Sequence, residues 1–255
     1  MSPSLERLRS AFLISIMAAA LAGFQGCGGR SGGGSAPAPT IPTWFSGVWT
    51  GTNTTNGENV SMLAMPSGAF RMLGGASLNQ VVGTLGLNGT SLSGSGSSVA
   101  VESGTVAPAT FSGTATQSPA RMNLNLSANN GTFAYRLSAN ANANVPVTLA
   151  QLAGTYTSAA AANSSGQVLQ VTLQPDGTAT LSSPALTGPE TGTLAQVAPN
   201  LNAFTVSVPP SPGQPYSLAG LAFLLPAQGL TPATLVAICS SPDNSRSLQG
   251  TFTQQ

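Results

Sequence analysis

The sequence predicts an all-β protein: two tandem small antiparallel barrels of about eight strands each, behind a signal segment and a disordered Gly/Pro tether. Three observations predict it. Apolar and polar residues alternate along short runs, as where Met122, Leu124 and Leu126 interleave with Asn123 and Asn125, or in Phe204, Val206 and Val208. Hairpin turn chemistry separates the runs, at Pro66-Ser67-Gly68, Asn88-Gly89, Asn130-Gly131 and Pro175-Asp176-Gly177. The pattern then recurs. Phe45-Ser46-Gly47-Val48-Trp49-Thr50 returns as Leu152-Ala153-Gly154-Thr155-Tyr156-Thr157, Met65-Pro66-Ser67-Gly68 as Gln174-Pro175-Asp176-Gly177, Gly83-Thr84-Leu85 as Gly192-Thr193-Leu194, and Phe111-Ser112-Gly113 as Leu218-Ala219-Gly220. The offset is about 107 to 109 residues throughout, the mark of a tandem duplication.

Unit 1 (44–140) carries expected strands around 48–53, 59–65, 68–74, 79–87, 91–97, 109–116, 120–127 and 131–138. Unit 2 (149–255) carries them around 154–158, 167–174, 177–183, 190–197, 203–209, 216–225, 233–240 and 247–254, and 141–148 forms the linker. Closure into barrels is expected over sandwiches, because open edges need charged residues to protect them and only 5% of the chain is charged. A transmembrane barrel is not expected, since its strands run to about nine to eleven residues.

The first 26 residues read as an export signal, with Arg7 and Arg9 ahead of the apolar run 11–24, too short for the roughly 20 residues of a spanning helix. Residues 27–43 join a Gly/Ser coil to a Pro-alternating segment, which reads as a tether with a reach of roughly 20 to 25 Å. Between signal and tether lies Cys27. Gly26-Cys27 at the end of an apolar run resembles the lipobox of bacterial lipoproteins, which implies acylation of Cys27 and anchoring to the cell envelope, in the outer membrane. In the rival reading signal peptidase cuts after Ala22, leaving Cys27 a thiol that pairs with Cys239. The opening of each unit, Gly47-Val48-Trp49 and Gly154-Thr155-Tyr156, resembles that of lipocalin-type barrels, which implies that the aromatic plugs a closed end. Tether and paired units together are similar in architecture to surface lipoproteins of Gram-negative bacteria.

Composition excludes more chemistry than it suggests. The 255-residue chain has no His and no Lys, so Ser-His-Asp, Cys-His and Ser-Lys nucleophiles and His-ligated metals are excluded. A net charge of +1 offers nucleic acid no basic face. Glu58, Glu102, Asp176, Glu190 and Asp243 read as solvated loop carboxylates, with a glycosidase-like pair as the remote alternative. Cys239 reads as a small buried hydrophobe. Arg71 and Arg136, between apolar strand neighbours, point away from the core toward solvent or a cavity, and Trp44 is a candidate contact surface beside the core plug Trp49. The expected protein is a lipid-anchored envelope protein without cofactor or catalysis, binding a protein, a glycan or a small apolar ligand. The alternative is a structural spacer of the envelope.

Overall fold

A computed structural model of the chain describes residues 41–75, 77, 79–100, 105–129, 131–158, 168–183, 188–211, 215–244 and 246–255. The signal segment, Cys27, most of the tether and Glu102 lie outside the described residues. Two closed antiparallel eight-stranded barrels follow one another along the chain.

Barrel 1 runs β1 (Gly47–Asn53), β2 (Asn59–Ala64), β3 (Ala69–Gly74), β4 (Gln80–Asn88), β5 (Ser91–Ala100), β6 (Thr105–Gln117), β7 (Ala120–Ala128) and β8 (Gly131–Ala139). Every strand pairs with the next, and β8 closes on β1 with Leu137 opposite Gly51. A four-residue helix, α1 (Leu149–Leu152), leads into barrel 2: β9 (Gly154–Ser158), β10 (Gln170–Leu173), β11 (Thr178–Ser182), β12 (Glu190–Gln196), β13 (Phe204–Val208), β14 (Leu218–Leu225), β15 (Thr234–Ser240) and β16 (Ser247–Gln254). Here β16 closes on β9, with Thr253 opposite Thr157. All sixteen expected strands are present, with ends displaced by a few residues.

Both closed ends are built alike. The 3-10 turn Thr43–Phe45 precedes β1, and the Trp49 indole N–H donates to the Phe45 carbonyl at 2.9 Å. In barrel 2 the Tyr156 hydroxyl donates to the Leu152 carbonyl of α1, also at 2.9 Å. Each ring is fully buried, so the aromatic spends its one polar atom on the plug and fills the barrel floor with the rest. The helix itself is held by a capping box between Thr148 and Gln151. The second hairpin of each barrel, β2–β3 and β10–β11, matches too. Gly68 and Gly177 take φ of 83° and 88°, and their carbonyls accept from Leu85 N–H at 2.9 Å and Leu194 N–H at 2.7 Å. A side chain at either position meets strained backbone and a neighbouring carbonyl, of Leu85 or of Leu194.

Inward residues of each barrel form its own core, around Trp49, Phe70 and Phe111 in barrel 1 and Tyr156, Phe204 and Phe252 in barrel 2. A third cluster lies outside both barrels. Val48, Leu63 and Leu73, on the outer face of β1–β3, pack with Phe223, Val236 and Ile238, on the outer face of β14 and β15. That explains why 218–225 and 234–239 are almost continuously apolar: strands buried on both faces lose the alternation that a solvated face imposes. The seam is also laced by polar groups. Asn144 binds the backbone of Val48 through both amide atoms, at 2.6 and 3.1 Å. Asn202 does the same for Leu224, its Oδ1 accepting at 2.9 Å and its Nδ2 donating at 2.6 Å, and donates again to the Ala143 carbonyl at 2.7 Å. The segment between the barrels is thus bound to both of them rather than slack between them.

Candidate functional site

Arg71 points outward, as strand alternation requires, but what lies outward is the second barrel. Its Nη1 donates to Ser240 Oγ at 3.1 Å and its Nη2 to the Ala219 carbonyl at 3.1 Å. Ser240 Oγ in turn donates to Asn244 Oδ1 at 2.7 Å. Burial pushes the guanidinium pKa down from its ordinary value. Arg71 is therefore a cross-barrel tie. Arg136 stands exposed on the outer face of β8, between Thr52 of β1 and Asn123 of β7. Trp44 is half-buried in the plug, its ring edge-on to Phe45 at 5.8 Å and to Trp49 at 6.4 Å between centroids. These three side chains do not converge on a cavity.

The carboxylates divide. Asp176 and Asp243 are exposed, and Asp176 accepts the Thr178 N–H at 2.8 Å in its turn, a hydrogen bond that lowers its pKa. Glu190 departs from the solvated expectation. As the first residue of β12 it falls on the inward phase shared with Leu194, is buried, and accepts from Ser211 Oγ at 2.9 Å. Glu58 is half-buried just before β2, where the Ser77 N–H donates to its Oε1 at 2.6 Å. Glu58 and Glu190 belong to different barrels, so no glycosidase-like pair forms from them.

Concave space is present inside each barrel, and a groove of about 200 Å³ beside Asn140, Leu225 and Thr234 lies outside them, toward the closed ends. At the end of barrel 1 opposite the plug, a cavity of about 70 Å³ is lined by Asn53, Glu58, Ser77, Asn79, Ser98 and Tyr135 on its polar side and by Val60, Met72, Val81 and Phe133 on its apolar side. Glu58 is the carboxylate there, and among the described lining residues none is basic. Ser98 and Tyr135 are each 7% exposed, and no hydrogen bond reaches either hydroxyl among the described residues. Burial and the charge of Glu58 push the Tyr135 hydroxyl up to about 12, so it stays protonated at any physiological pH. The corresponding space in barrel 2 is about 30 Å³ and lined by apolar side chains and Gly192 alone, among them Val171, Leu194, Val206 and Leu248. Residues 53, 58, 98 and 135 were not singled out as a set by the sequence, although the period-two phase of β1, β5 and β8 does point 53, 98 and 135 inward.

Cys239 is fully buried in the core of barrel 2, a free thiol whose pKa desolvation raises to about 12. Among the described residues no cluster of three or more His, Cys, Asp or Glu is placed to hold a metal, and no helix is long and apolar enough to cross a membrane.

Fold and site together define a tandem pair of closed up-and-down barrels, each plugged at one end, with a polar cup at the open end of the first. No protein-family model, no curated protein and no solved structure matches this chain.

Proposed function

We propose that this chain is an exported, lipid-anchored protein of the bacterial cell envelope, held to the outer membrane through acylated Cys27, and that its barrels are a non-catalytic binding module. The observation that carries the binding reading is the mouth of barrel 1. A barrel plugged at one end and lined at the other with hydroxyls, amides and one carboxylate around an apolar floor is the arrangement in which small ligands are held. The anchoring reading is supported by Gly26-Cys27 and by the sealing of Cys239 inside barrel 2, where no other thiol reaches it unless the barrel opens.

The cavities inside the barrels, about 70 and 30 Å³, fall well below the roughly 300 Å³ at which pockets begin to enclose a drug-sized molecule. That favours capture of an end group over engulfment of a ligand, and it is also the observation behind the second reading, a structural spacer with filled interiors. Two measurements test these readings. Intact mass with detergent fractionation is expected to find the mature chain beginning at acyl-modified Cys27 in the membrane fraction, and a soluble chain without acyl mass overturns the anchor. Thermal denaturation against a panel of envelope glycans, peptides and amphiphiles is expected to show a rise in Tm with one class. No rise with any class leaves the spacer.

A further inference from the structure

The described chain starts at the closed end of barrel 1. Ile41 packs on that barrel's core and lies against the Gly68 turn, and the linker 140–148 with α1 carries the chain from the closed end of barrel 1, where β8 stops, to that of barrel 2, where β9 begins. The mouth beside Asn53 and Tyr135 is at the opposite end. Residues 28–40 form a mixed coil with a reach of roughly 20 Å, so a lipid on Cys27 keeps the closed ends near a bilayer. A flexible tether does not choose which surface touches the lipid. A further contact is needed for that.

The connection from β14 to β15, residues 226–233, stands at the closed end of barrel 2, beyond the paired Leu225 and Thr234. Within it Gln228 and Thr231 exchange two backbone hydrogen bonds of 3.0 Å, which makes a two-residue turn with Gly229 at φ 59° and Leu230 at the tip. Pro226 and Pro232 stiffen its shoulders, and Leu230 is fully exposed. Turn tips are ordinarily polar, and the other closed-end turns follow that rule with exposed Ser67, Thr90, Ser118 and Asp176. Val145, on the linker, is a second exposed apolar side chain of the same end.

A single exposed Leu is common on protein surfaces. What sets Leu230 apart is its place, on a stiff tip at the end from which the tether leaves. Among the described residues the exposed charges of this end are Arg121 and Asp176, one of each sign, so an anionic lipid surface is not repelled. A folded partner protein needs a matching patch of about 800 Å² a side, which Leu230 and Val145 do not make. A lipid surface needs only an apolar group that can leave water for the headgroup boundary.

We infer that the closed ends of both barrels face the bilayer and that Leu230, at the tip of the β14–β15 hairpin, dips into it as a second contact beside the lipid on Cys27. The mouth of barrel 1 then faces away from the membrane. This rests on the anchored reading of Cys27 and adds an orientation to it.

The test links the mature chain through Cys27 to a maleimide phospholipid in vesicles of phosphatidylethanolamine and phosphatidylglycerol, and compares its amide hydrogen exchange with that of the free chain. Cys239 is sealed in its core, so the link forms at Cys27. Exchange at 227–231 is expected to slow about threefold or more on the vesicles, while that at 54–58 and 241–244, at the open ends, is unchanged. Leu230→Ser is expected to return 227–231 to the rate of the free chain, and Leu230→Phe to keep the protection. Slowing at 54–58 instead, no slowing at either end, or slowing that survives Leu230→Ser overturns the hairpin contact. The link is made chemically, so these outcomes do not depend on what the cell attaches to Cys27. Absent acyl mass removes the anchor, whereas absent protection removes the hairpin contact and leaves the anchor standing.

Discussion

The two barrels agree at one end and part company at the other. At the closed end the plug, the aromatic hydrogen bond and the second-hairpin glycine coincide, down to Trp49 bonding Phe45 and Tyr156 bonding Leu152 at the same 2.9 Å. At the open end barrel 1 has strands as long as β5 and β6, of 10 and 13 residues, and a polar cup. The longest strands of barrel 2, β14 and β16, reach 8 residues, and its cavity is apolar. Each barrel needs the features that close it, because one missing plug leaves a wet core. The rim carries no such burden and is free to diverge.

The largest expected effect tests whether the barrels act as one body. Phe223, fully buried in the seam, contributes to both, so Phe223→Ala should cost about 3–5 kcal/mol and divide one calorimetric unfolding transition into two. A single transition shifted by less than the wild-type error would show that the seam is energetically idle. Next come Gly68→Ala and Gly177→Ala, which force a side chain into left-handed backbone against a neighbouring carbonyl. Each should cost at least about 1–2 kcal/mol, and the two should match closely in urea unfolding if the closed ends are equivalent. Gln80 sharpens the contrast from the other direction. It is fully buried on the outer face of β4 beside Leu73, with both amide atoms unpartnered, so Gln80→Leu should raise stability by about 1 kcal/mol, read as a higher urea midpoint.

The smallest effect is a pH dependence confined to one hairpin. Asp176 has a pKa held below the ordinary carboxylate value by the Thr178 N–H, whereas the matching residue of barrel 1 is Ser67. Its contribution is present above the unfolded-state pKa and lost as pH falls through the lower folded value. The Thr178 amide shift should therefore titrate in acid and that of Ala69 should not, and Asp176→Ser should flatten the former. A flat Thr178 amide in the wild type would remove the asymmetry.

Strands, hairpins and plugs were legible in the sequence because each is a local rule: alternation in Met122–Leu126, a positive-φ glycine at Gly68, an aromatic two residues after Gly47. The seam was not, although it left a trace. Leu218–Leu225 reads simply as an apolar strand until its second buried face is known, and Arg71 on β3 reads as solvated for the same reason. The mouth was half legible. Phase says that Asn53, Ser98 and Tyr135 face inward, but their height along the barrel depends on the stagger between strands, which no single strand records. Glu58 lies outside any strand, so phase says nothing about it. Trp44 stood out by residue type, and type does not determine position.

Cys239 gives barrel 2 a clock. Its thiol is sealed in the core and held protonated, with a pKa raised to about 12, so a thiol reagent in solvent must wait for the barrel to open. The rate of modification then reports how often β14–β16 part, as amide exchange reports the opening of a hydrogen bond. Because this residue has no counterpart among the described residues of barrel 1, that rate counts the fluctuations of one barrel in the presence of its twin.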